Sequence, residues 1–151
     1  MLNIVVLDAA TLGSDMDLTP LHRLGRVTVY PETAADQTAA RLQDAQVAVT
    51  NKVVIDAALL ARLPALRLIC VAATGMNNID LPAAAARSIP VRNVAGYSTE
   101  SVVQITLGHV LHLLNHQAYY TAYARTDWQH SRLFTHLGRP FPELAGSRWG
   151  I

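Results

Sequence analysis

Cysteine is almost missing from this chain. Cys70 stands alone inside the apolar run LRLICVAA, so no disulfide can form within the molecule. That excludes a disulfide-stapled scaffold, suits a reducing compartment, and makes Cys70 a small buried hydrophobe rather than a nucleophile. An excess of one charge is missing too. With 12 basic against 11 acidic residues, a formal charge of +1 and no Lys/Arg cluster, the chain offers no electrostatic reason to bind nucleic acid or a membrane surface. No apolar run reaches the roughly 18 residues that span a bilayer. The start, MLNIVVLDAA, carries neither a basic n-region nor a long h-region, so a soluble, cytoplasmic protein is expected. Two catalytic signatures are absent as well. His109, His112 and His116 fall within about 60° of one another on a helix that turns ~100° per residue. No HExxH, neighbouring carboxylate or cysteine accompanies them, so no metal is expected. The segment GYSTE at 96–100 lacks the GxSxG pattern of a nucleophile elbow.

What is present is apolar and ordered. At 151 residues, 51% hydrophobic and 15% charged, the chain can bury a real core and is too apolar for disorder. Residues 2–7 form a β-branched apolar run ending at Asp8, which suits a central parallel strand buried on both faces. The segment TLGSDMDLTP reads as loop, with Thr19 before Pro20 opening a short helix, and RVTVY at 26–30 alternates as a second strand. Thr33 is placed to cap the helix AADQTAARLQDA, whose Ala35, Ala39, Leu42 and Ala45 lie about one turn apart. QVAVT at 46–50 is a third strand, Asp56 caps a helix that Pro64 stops, and 66–72 is a fourth strand. Asp80 and Pro82 open LPAAAARS, and 91–94 is a fifth strand. Five strands alternating with four helices predict an α/β fold, a flavodoxin-like doubly wound parallel five-stranded sheet.

Beyond Ala95, Gly96 and Tyr97, Ser98 or Thr99 can cap a helix running to about Tyr123, with Glu100 favourable to its dipole. The helix is apolar nearly all round, through Val102, Val103, Ile105, Leu107, Val110, Leu111, Leu113 and Leu114, so it is expected to lie between two bodies. Residues 125–144, with Trp128, Phe134, Phe141 and two prolines, predict a long connection with little regular structure. SRWGI after Gly146 reads as a strand that has just begun, so the end of the chain looks like an interruption.

The stretch at 71–104, VAATGMNNIDLPAAAARSIPVRNVAGYSTESVVQ, is what the rest is arranged to present. Its loop Thr74, Gly75, Met76 follows the carboxyl end of a parallel strand, where open α/β sheets bind ligands. Glycine lets the backbone come close, and consecutive N–H groups make an anion-binding nest. An ordinary strand-to-helix turn is the plain alternative.

TNKVVID at 50–56, LPALRLICVAATGMNNID at 63–80 and VRNVAGYSTESVVQIT at 91–106 resemble the amino-terminal half of the D-isomer-specific 2-hydroxyacid dehydrogenases. They look most like the glycerate dehydrogenase and hydroxypyruvate reductase branch. The resemblance covers nearly the whole chain in matching order and spacing. It implies a flavodoxin-like substrate domain over 1–97. Residues 98–151 would then hold an interdomain helix, a connection and the start of a Rossmann domain for NAD or NADP, with the active site in the cleft between domains. It also implies hydride transfer between NAD(P)H and a small 2-keto or 2-hydroxy acid of hydroxypyruvate, glycerate or glyoxylate type.

Much of that equipment is not in these residues. There is no GxGxxG to approach a pyrophosphate and no acidic residue on a following strand to hold a ribose. The family's catalytic arginine, glutamate and histidine have no counterparts here, so no catalytic residue is assigned and the isolated chain is expected to be inactive. The family's last helix, which returns to pack on the substrate domain, is absent, so an open apolar patch is expected. Subunits of the family pair through the cofactor domain and the long helix, which implies a homodimer.

By the resemblance, the backbone of Thr74 and Gly75 binds the substrate carboxylate, Met76 lines the pocket, and Asn51 with Lys52 faces the substrate from the third strand's end. A solvated turn would use the same Asn-Lys pair. Val102 and Thr74 match positions beside the cofactor, although a core valine explains Val102 equally well. Asn77, Asn78 and Asp80 read as structural Asx residues that bond nearby backbone and cap the next helix, and Tyr97 with Ser98 as a hinge. Two other readings stand beside the enzyme. One is a non-catalytic flavodoxin-like binding or dimerisation module held by the apolar helix. The other, a receiver domain, needs clustered acids for magnesium, whereas Asp8 is alone, the third strand ends in Thr-Asn and the fifth in Asn93-Val94.

Overall fold

The structure, a computed structural model, describes residues 1–150. The chain divides into two compact units, Met1–Tyr97 and a second that begins at Ser98.

In the first unit five parallel strands form one sheet: β1 (Leu2–Val6), β2 (Gly25–Val29), β3 (Val47–Thr50), β4 (Leu68–Val71) and β5 (Val91–Arg92). Their order is β2-β1-β3-β4-β5, the flavodoxin arrangement, with β1 central because the chain first winds one way from it and then returns the other way. β1 is apolar on both faces for that reason, and Ile4, Val5 and Val6 are all buried. Three helices connect the strands: α1 (Ala35–Leu42), α2 (Ala57–Ala61) and α3 (Leu81–Ala86). The fourth expected helix, between β1 and β2, is instead a pair of 3-10 turns, Ala9–Leu12 and Thr19–Arg23, in a stretch interrupted by Gly13 and Asp15.

The two faces of the sheet are treated differently. Val5, Leu7, Ala48, Ile69 and Val71 point to the side where Leu42, Leu60 and Ala84 of the three helices close one core. On the other side the register aligns Val49 with Cys70 and Cys70 with Arg92, and these residues are only half-buried or exposed. That face is roofed only near β1 and is otherwise an open groove of about 730 Å³, lined among others by Leu12, Leu18, Leu21, Val49 and Cys70.

Local details correct several expectations. Thr33 does not cap α1; its hydroxyl donates to the Leu7 carbonyl, and Gln37 Oε1 accepts the Ala34 N–H at 3.2 Å instead. Asp56 and Asp80 do cap, accepting from Leu59 N at 2.7 Å and Ala83 N at 2.9 Å. β5 is short, Val91–Arg92, although one further backbone hydrogen bond, from Val94 N to Ala73 O, follows it.

The second unit holds α4 (Thr99–Leu114), α5 (Gln117–Thr126) and a 3-10 turn at Trp128–His130. The single helix predicted to Tyr123 is therefore two, broken where His116 takes a left-handed φ of 48°. Ser98 holds the N-cap position of α4 without a side-chain hydrogen bond. No residue of α4 is fully buried; Val110 and Leu114 are its half-buried apolar residues. Residues 144–150 contain no strand, against the expectation for SRWGI, and Ile151 lies outside the described residues. What organises the connection is aromatic: the His136 ring stacks on Tyr123 at 3.6 Å and its Nε2 meets the Tyr119 hydroxyl at 2.6 Å.

Candidate functional site

The site begins with a carboxylate that belongs to the chain. Asp8, buried at the end of β1, accepts from the Thr50 hydroxyl at 3.2 Å and from the amides of Asn51, Lys52 and Val53 at 2.9, 2.6 and 3.3 Å. Parallel strands end at one edge, and the turn after β3 curls round this acid because its amides leave the sheet there. Asn51 commits its Nδ2 to Thr11 Oγ1 at 3.1 Å. Lys52, the single lysine of the chain, is exposed.

The next turn along that edge is the one after β4. The ladder runs past Val71, where Ala72 N donates to Thr50 O at 2.8 Å and Val94 N to Ala73 O at 3.0 Å. The loop is then pinned by side chains: Asn93 Nδ2 donates to Thr74 O at 2.6 Å, and Thr74 Oγ1 donates to Val94 O at 3.2 Å. The amides of Thr74, Gly75 and Met76 find no acceptor among the described residues. A Cβ at Gly75 would stand 3.2 Å from Oδ1 of the exposed Asn77 side chain.

Asn78 binds the two turns together. Its Nδ2 donates to Val53 O at 3.0 Å, its carbonyl accepts from Ile55 N at 2.9 Å, and Ile55 pairs with Ile79 in a parallel bridge. The Asx reading of Asn78 as a residue bonding nearby backbone is thus corrected to a long-range brace, while Asp80 does cap locally. Thr74, Gly75, Asn51 and Lys52 lie in the two turns at this edge of the first unit, whereas the Met76 side chain turns away from them and packs against the core beside Leu81, Ile89 and Val91, so the expected pocket-lining role of Met76 gives way to packing. Val102 belongs to the second unit and is 59% exposed. His109, His112 and His116 form no metal-holding group among the described residues.

Two titrating groups sit on the groove. Burial raises the Cys70 thiol above its ordinary value, away from thiolate chemistry. At the rim, hydrogen bonding from Thr19 lowers exposed Asp17, whose Oδ1 accepts the Thr19 N–H at 2.9 Å.

A family model described as the catalytic domain of the D-isomer-specific 2-hydroxyacid dehydrogenases matches residues 4–133. The chain belongs to this family. A putative 2-hydroxyacid dehydrogenase of Haemophilus influenzae is 34% identical over 99% of this chain and 48% of its own length. A hydroxypyruvate reductase of Blautia hydrogenotrophica is 30% identical over 99% and 48%. The chain thus spans about half the length of these family members. Among solved structures, an NADPH-dependent glyoxylate/hydroxypyruvate reductase from Sinorhizobium meliloti in complex with citrate has the same fold. Its TM-score is 0.72 at 21% identity, covering 97% of this chain and 45% of that one. Family membership bears out the resemblance read from the three motifs, and the flavodoxin-like sheet is the fold it implied.

Reading the sequence missed Asp8 and Asn93 as builders of the site. The available signal was position: each is a polar residue at the carboxyl end of a parallel strand, where a side chain either meets solvent or serves the next loop.

Proposed function

We propose that this chain supplies the substrate side of an NAD(P)-dependent dehydrogenase acting on small 2-keto and 2-hydroxy acids of hydroxypyruvate, glycerate or glyoxylate type. The carboxylate binds the amides of Thr74 and Gly75, with the Met76 backbone beside them and its side chain packed beneath the loop, Asn51 and Lys52 on the flank, and Thr74 also beside the cofactor. One observation carries the reading. Of two adjacent turns on the ligand-binding edge, the amides of one are filled by the carboxylate of Asp8, while those of the other are unfilled. A turn of that build takes a carboxylate through charge-assisted hydrogen bonds.

The residues that would pass hydride and proton are not among these 151, so nicotinamide binding and acid–base work belong to sequence beyond the relatives' first half. Within this chain the division of labour is binding and orientation. Residues 1–97 act as substrate domain and 98–151 as helix, connection and approach to the cofactor domain. Val102 lies against the nicotinamide, and the exposed apolar α4 pairs two subunits. The lone thiol suits a cytoplasmic setting, and no described helix is long and apolar enough to cross a membrane. The test is oxidation of NADH and NADPH with hydroxypyruvate and glyoxylate, beside amide spectra of residues 1–151 titrated with glycerate. Turnover is expected only from the protein that also carries a cofactor loop. Glycerate should shift Thr74 and Gly75; shifts confined elsewhere would overturn the site.

A further inference from the structure

Asp8 is a buried ionisable group with no part in the binding scheme as described. A carboxylate left in an apolar core is costly unless hydrogen-bonded, and this one is 5% exposed with every named partner coming from residues 50–53. Its partners are mostly backbone amides, so what it fixes is the path of the chain through that turn rather than another side chain. The turn in question carries Lys52, which is exposed while its own amide makes the shortest of these contacts, 2.6 Å. A long flexible ammonium stem can be aimed only through its backbone. Asn78 holds the same turn from the loop side through Val53 O at 3.0 Å, and so ties its conformation to the segment that carries Thr74 and Gly75.

We propose that Asp8 is a positioning residue for substrate: its buried carboxylate sets the 51–53 turn and thereby holds Lys52 on the edge that binds the keto-acid carboxylate. This rests on the carboxylate reading of the Thr74 and Gly75 amides. Asp8 touches neither substrate nor cofactor, and acts through the turn. Lys52 supplies a point charge that strengthens binding of ground state and transition state alike, so losing its placement should raise KM and leave kcat largely alone.

The experiment is a double-mutant cycle in the complete protein as its reading frame encodes it, with Asp8→Asn, Lys52→Met and both. Hydroxypyruvate reduction is followed at varied keto acid and varied nicotinamide, and amide hydrogen exchange is read at 51–53. Asp8→Asn keeps the shape but sets an N–H against the turn's N–H groups. It should speed exchange there and raise KM for hydroxypyruvate about tenfold, with kcat within about twofold and KM for nicotinamide unmoved. In the Lys52→Met background the same change should add little, since the group being positioned is gone. Equal effects in both backgrounds, a loss in kcat alone, or unchanged exchange would overturn the role of Asp8. Asn78→Ala loosens the same turn from its partly exposed side and should give the same split should Asp8→Asn not fold. A working enzyme with no Asp8 effect removes only this inference. A wild-type protein that never saturates with a 2-keto acid removes the functional reading, and the role of Asp8 falls with it.

Discussion

At the scale of single residues, the chemistry here is decided by which polar groups already have partners. Asp8 consumes the amides of one turn, and Asn93 consumes a carbonyl of the next without touching its amides. The donors left over in that turn include those of Thr74, Gly75 and Met76. Cys70 shows the same dependence on surroundings. An acid whose folded value is raised stays protonated while the unfolded chain ionises, so its effect on stability is absent at neutral pH. It appears as a loss once pH climbs through the ordinary thiol value of 9.0. Alkylation of native Cys70 by iodoacetamide at pH 8 should be slower than in the denatured chain, with the rate still rising beyond pH 9. Native and denatured rates that coincide would contradict the half-buried placement.

At the scale of elements, the strand–helix order was readable because each element carries its own period and punctuation. Pro64 and Pro82, with the caps Asp56 and Asp80, mark helix ends by local chemistry alone. Thr33 failed as a cap because a tertiary acceptor, Leu7 O, competes for its hydroxyl. The break between α4 and α5 was not legible, since nothing in LLNHQAYY forbids a continuous helix. The left-handed His116 is selected by the aromatic packing that follows, in which Tyr119 and Tyr123 engage His136. A side chain at that φ is strained, so His116→Gly should stabilise the helix pair by about 0.5–1 kcal/mol, read as a higher denaturation midpoint. An unchanged or lower midpoint would mean the strain is relieved some other way.

At the scale of the whole molecule, apolar side chains are exposed in each unit among the described residues: the first has the groove over Val49 and Cys70, and the second has Val102, Ile105 and Leu113 on α4. Surfaces of that kind drive association in water. Residues 1–151 are expected to self-associate, and Ile105→Asp with Leu113→Asp should shift sedimentation towards the monomer; an unmoved sedimentation coefficient would point to a different contact face. The sequence by itself determined the family, the parallel α/β class and the loop at 74–76, because strand periodicity, caps and motif spacing are local and additive. Only the tertiary structure decided which amides remain free, that Asp8 and Asn78 bracket the Lys52 turn, and which sheet face is uncovered. Those are outcomes of competition among distant hydrogen-bond partners, and no residue's own identity contains them.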